Sequence, residues 1–79
     1  MPQENNINLS IVIPVYNEDQ YLETLFDEIL KFFNHQNVEL IFVDDGSTDK
    51  SSELLKSFKN KSNYKFKLKI IKLEINSGK

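Results

Sequence analysis

A chain of 79 residues, 39% of them hydrophobic, can build one small domain; at that length only about 60% of the unfolded surface is buried, so the core is marginal without further cover. The absence of cysteine excludes a disulfide framework and a thiolate metal site, and makes a reducing, cytoplasmic setting the default. The formal net charge of -2 conceals an asymmetry, with ten acids against Lys31 alone in residues 1–49 and nine lysines against Glu53 and Glu74 in residues 50–79.

The opening MPQENNIN is polar, with no basic start and no apolar run of signal-peptide length. Nowhere do about 18 apolar residues stand together, so neither a secretory leader nor a transmembrane span is expected in this chain. LSIVIPV (Leu9–Val15) is β-branched and apolar, which predicts a strand buried on both faces, with Pro14 tolerated near its end. In the segment Asn17–Asn37, Leu22, Leu25, Phe26, Ile29, Phe32 and Phe33 recur at helical spacing and predict an amphipathic helix of four to five turns, its aromatics packing the core. Asn17 is the expected N-cap, Gln20 completes a capping box, and Glu18 and Asp19 suit the positive helix end.

VELIFVD (Val38–Asp44) predicts a second buried strand. GSTDKSSELLKSFKN then reads as a loop and a shorter helix, capped by Ser47 or Asp49 and burying Leu54, Leu55 and Phe58. In KFKLKIIKLE (Lys65–Glu74), Phe66, Leu68 and Ile70 share one face, while Lys65, Lys67 and Lys69 share the other. Such a lysine row discourages edge pairing and points to an edge strand. A solvated strand face therefore accounts for the basic half, and no nucleic-acid partner is expected.

Strand, helix, strand, helix, strand is the pattern of a parallel α/β sheet with right-handed crossovers. The chain has no internal repeat and no linker, and ligands of such sheets sit at the carboxyl ends of the strands. PVYNE and DDGSTD occupy those places. Tyr16 offers a ring for a base and a phenol, Asp44 and Asp45 can accept hydrogen bonds from an imide N–H or ribose hydroxyls, Glu18 can serve the ribose, and Gly46 permits a sharp turn. An Asx-type turn leading into a helix cap explains the same residues. Composition and spacing leave both readings open.

No G-x-G-x-x-G, P-loop or nucleophile elbow occurs, which disfavours those phosphate and hydrolase devices. The single histidine, His35, falls near the end of the first helix and is expected to interact there rather than to act as a base or metal ligand.

SIVIPVYNE, then IFVDDGSTD about 25 residues later, then LEINSGK, resemble the start of the family 2 glycosyltransferases over Leu9–Lys79. The resemblance implies an α/β fold: a three-stranded parallel sheet forming the N-terminal, nucleotide-binding half of a GT-A (Rossmann-like) domain, with residues 1–79 as one partial domain. It implies a nucleotide-sugar donor, UDP-linked before others, with Pro14, Tyr16 and Glu18 lining base and ribose. Asp45 would bond the base, Asp44 would support it or the ribose, and Lys79 would lie near the diphosphate. The complete enzyme would transfer a sugar to an acceptor hydroxyl or phosphate with Mg²⁺ or Mn²⁺ at the diphosphate.

The family's metal motif and acceptor-side base have no counterpart here, so the resemblance implies no catalytic residue and no metal ligand in these 79 residues, and no turnover by the chain alone. It also leaves the first strand without a partner on one side, so the isolated chain is expected to dimerise through that sheet edge or the apolar face beside it. The complete protein is expected in the cytoplasm or at the cytoplasmic face of a membrane. Two alternatives differ in class: a non-catalytic nucleotide-binding or interaction module, and a receiver-like signalling domain. The second fits poorly, because receivers place the acidic pair after the first strand.

Overall fold

The computed structural model describes residues 7–73. It contains β1 (Leu9–Val15), α1 (Leu22–Phe33), β2 (Val38–Asp44), α2 (Ser51–Phe58) and β3 (Lys67–Lys72). The three strands form one parallel sheet in the order β1-β2-β3, with Val15 opposite Asp44 and Asp44 opposite Lys72. The strand order advances in one direction, so right-handed crossovers place both helices on the same face.

Side chains alternate across that sheet. Val15, Leu40, Phe42 and Leu68 point at the helices and pack with Leu22, Phe26, Ile29, Leu55, Phe58 and Phe66 in one core. Its centre is aromatic: Phe26 stacks on Phe58 at 4.3 Å between centroids and meets Phe66 edge-on at 5.8 Å. Tyr64 extends the cluster by stacking on Phe66 at 4.9 Å.

The expectation that β1 is buried on both faces is not met. Its far side belongs to an open sheet face, where Val12 is 58% exposed and Ile71 45%. Toward the amino ends of the strands this face turns polar, with Ser10 donating to Glu39 at 2.8 Å and Lys69 paired to Glu39 at 3.1 Å. The lysines of β3 thus meet solvent and an acid, as an edge strand requires.

Both expected helix caps are also corrected. The N-cap position of α1 is Tyr21, without a side-chain cap, and that of α2 is Lys50. Asn17, Ser47 and Asp49 instead bond to the opposite loop or to the chain immediately beside them. The first helix is also shorter than its sequence period suggests, and Phe32 and Phe33 are exposed at its end. There Asn34 leaves the helix and holds the chain before β3, accepting the Lys65 N–H at 2.6 Å and donating to the Asn63 carbonyl at 3.3 Å. His35 lies in the turn beyond, its Nδ1 accepting the Asn37 N–H.

Candidate donor-binding edge

The carboxyl ends of β1 and β2 are joined before either loop begins: the Asp45 N–H donates to the Val15 carbonyl at 2.9 Å. Beyond this point the two acids of the opening motif diverge, because successive side chains leave a strand on opposite faces. Asp44 follows Phe42 to the helix side and is 1% exposed. Asp45 is exposed. Gly46, buried, takes φ 74, a left-handed conformation that disfavours a side chain with a Cβ.

Asp44 is fixed from two sides. Its Oδ1 accepts the Ser47 N–H at 3.0 Å, and its Oδ2 accepts the Ser52 hydroxyl from the first turn of α2. Burial pushes its carboxyl pKa up, but the hydrogen bonds from Ser47 and Ser52 and the nearby Lys72 ammonium outweigh this and hold it below the ordinary aspartate value. The ionised carboxylate therefore anchors the turn that presents Asp45.

The loop after β1 and the loop after β2 are laced together. The Asn17 side-chain carbonyl accepts the Thr48 N–H at 2.8 Å, the Asp49 N–H at 3.3 Å and the Thr48 hydroxyl at 3.4 Å, while the Asn17 N–H donates to Ser47 Oγ at 3.0 Å. The Glu18 N–H donates to Ser51 Oγ at 2.9 Å. Asp19 and Asp49 bond reciprocally, Asp49 Oδ2 accepting the Asp19 N–H and Asp19 Oδ2 accepting the Lys50 N–H, each at 3.3 Å. Asp49 Oδ1 also accepts the Ser51 N–H at 2.8 Å. Partial burial pushes the Asp49 pKa up, and its hydrogen bonds with Ser51 and Asp19 bring it down below the ordinary value.

This lacing decides what the start of α2 can do. The N–H groups of Thr48, Asp49, Lys50 and Ser51 already meet side-chain oxygens, so of the approach to α2 and its first turn, only the Ser52 and Glu53 N–H groups are left for another acceptor. The candidate site is instead the shelf above, where Tyr16, 56% exposed, and Glu18 flank one loop and Asp45 the other. Pro14 lies exposed on the open face beside it, opposite Val43. Lys79 lies outside the described residues.

Of two clefts formed by the described residues, neither includes Tyr16 or Asp45. The larger, about 260 Å³, lies between α2 and β3 and is lined by Asp44, Ser52, Lys56, Lys59, Ile70 and Lys72. Among the described residues no group of three or more histidine, aspartate or glutamate side chains is placed to hold a metal ion. Ser51, Ser52 and the cross-loop role of Asn17 were not read from the sequence, where Asn17 has the look of a helix cap and the two serines carry no signal of their own.

Residues 10–79 match the Glycosyl transferase family 2 profile. A minor teichoic acid biosynthesis protein, GgaA, of Bacillus subtilis is 44% identical over 73 residues, which is 87% of this chain and 15% of that protein. The dolichyl-phosphate beta-glucosyltransferase of Dictyostelium discoideum is 34% identical over 82 residues, 95% of this chain and 25% of that protein. The poly(ribitol-phosphate) beta-N-acetylglucosaminyltransferase TarS of Staphylococcus aureus is 34% identical over 73 residues, 91% of this chain and 12% of that protein. The chain thus spans a quarter or less of these relatives, and no solved structure matches it. With a β-α-β-α-β parallel sheet, both sequence motifs at its carboxyl edge and a family match over nearly its whole length, the chain belongs to glycosyltransferase family 2.

Proposed function

We propose that this chain is the donor-nucleotide segment of a family 2 glycosyltransferase, that it binds the nucleoside part of a nucleotide-sugar, and that UDP-sugars are its donors. The observation that carries this reading is the pairing of an exposed aromatic ring, Tyr16, with an exposed carboxylate, Asp45, on two loops bonded to one another at the carboxyl edge of the sheet. A ring face suits stacking on a base, and a carboxylate suits the imide N–H of uracil, a donor that adenine lacks. Asp44 supports the turn from beneath, Pro14 and Glu18 border the ribose side, and Lys79 serves the diphosphate.

In the complete protein the reaction is sugar transfer from the nucleotide diphosphate to an acceptor. The relatives' names include a poly(ribitol-phosphate) and a dolichyl-phosphate acceptor, so the donor half is the part that such enzymes can share. Mg²⁺ or Mn²⁺ would neutralise the leaving diphosphate, held by residues other than those described here. The 79-residue chain is expected to bind donor without turning it over. The lack of cysteine suits a cytoplasmic setting, and among the described residues no helix is long and apolar enough to cross a membrane.

Calorimetric titration with UDP, GDP and ADP tests the reading. UDP should bind in preference to ADP, and Asp45→Ala should weaken UDP by about tenfold, the effect of one lost hydrogen bond to a charged acceptor. Equal affinity for all three nucleotides, unchanged in Asp45→Ala, would reject it.

A further inference from the structure

Tyr16, Asn17, Glu18, Asp45 and Thr48 are all exposed, so core packing does not hold the two loops in register. Polar bonds do, and four of the eight that join the loops are made by Asn17. The Asn17 carbonyl oxygen takes the Thr48 and Asp49 N–H groups and the Thr48 hydroxyl, and its backbone N–H takes Ser47 Oγ. Asn17 is also the only non-glycine residue with positive φ, 53°, among the described residues. The site thus makes two demands of one residue: a backbone that tolerates the left-handed region, and a short side chain ending in a neutral acceptor. Asparagine meets both. Glycine meets only the first, alanine neither, and aspartate meets both but adds a charge beside Asp19 and Asp49.

We propose that Asn17 is a positioning residue of the donor site, fixing the spacing between the Tyr16 ring and the Asp45 carboxylate by clamping the loop after β2 against the loop after β1. The proposal rests on the donor reading above and goes beyond it by assigning the geometry of the shelf to a residue that need not touch the nucleotide. Tyr16 is adjacent to Asn17 in the chain, and Asp45 is two residues before Ser47. The Asp45 N–H stays bonded to the Val15 carbonyl when the clamp is released, but the loop tips beyond that bond loosen, and a nucleoside that engages both the ring and the carboxylate must then re-order them on binding.

Asn17→Gly and Asn17→Asp separate the clamp from general stability. In Asn17→Gly the left-handed backbone is retained and the acceptor is lost; amide hydrogen exchange at Thr48 and Asp49 should quicken by about tenfold while the amides of β2 keep their protection. UDP affinity should fall by a similar factor. Asn17→Asp, which restores the acceptor, should recover the protection at Thr48 and Asp49 and most of the affinity. Wild-type binding of UDP that Asn17→Gly leaves unchanged would overturn the positioning role alone. Loss of β2 protection in step with affinity would overturn it too, by showing a global effect. A wild-type chain that does not bind UDP would overturn the donor reading and this assignment with it.

Discussion

Asp44 and Asp45 differ by one step along a strand, and strand alternation gives them opposite surroundings. Asp44 is buried against Ser47 and Ser52, so its removal strands donors beneath the loop. Asp44→Ala should cost about 2 kcal/mol of stability, read from urea denaturation, a typical penalty for leaving partly buried donors unmatched. Its pH dependence has a definite sign. The folded pKa lies below the ordinary 3.8, so the folded chain binds this proton less readily than the unfolded one, and the stabilisation is fully present above 3.8 and lost as pH falls through the folded value. Asp49 and Glu39, also lowered, add slope in the same direction. Asp44→Asn should therefore be less sensitive to acid below 3.8 than wild type; equal sensitivity would show that Asp44 is not an ionised anchor. The sequence exhibited the acid pair but not this division of labour, which depends on a serine of α2 eight residues away.

Among the elements, β1 and β2 were legible to the residue, because their apolar runs close with Pro14-Val15 and with an acid pair. The helix faces were legible from period, with Leu22, Phe26, Ile29, Leu55 and Phe58 all buried. The helix starts were not. Asn17 and Asp49 have the composition of caps, but Asn17 bonds to Thr48, 31 residues away, a partner that no local rule reveals. The exposed face of β1 was misread for a similar reason: its residues are apolar, but both crossovers place their helices on the other side. The energetic weight of α1 rests on Phe26, which touches Phe58, Tyr64 and Phe66. Phe26→Ala should cost about 3–5 kcal/mol and leave so small a domain largely unfolded, with loss of helical circular dichroism. Phe32→Ser, at a position 66% exposed, should change stability by no more than about 0.5 kcal/mol. Equal effects of the two would contradict the aromatic core.

At the scale of the whole molecule, the described residues cover the sheet on one face only. Val12 and Ile71 are exposed on the open face, and among the described residues β1 is hydrogen-bonded to a strand on one side alone. An apolar face beside an unpaired edge is a template for association. The 79-residue chain in isolation should therefore show a sedimentation mass that rises with concentration; a constant monomer mass would contradict this. The same architecture leaves the carboxyl edge open as a shelf, which is where the donor reading puts the nucleoside. That reading was legible from PVYNE and DDGSTD as a resemblance, while the lacing that makes a shelf of them was not.

The most direct test of the donor reading is an amide and side-chain NMR titration of this chain with UDP. The account predicts saturable shifts concentrated at Tyr16, Glu18, Asp45 and Gly46, with Asn34, Asn63 and Tyr64 at the opposite end unmoved. No saturable shift, or shifts centred on the Lys56, Lys59 and Lys72 cleft, would contradict it.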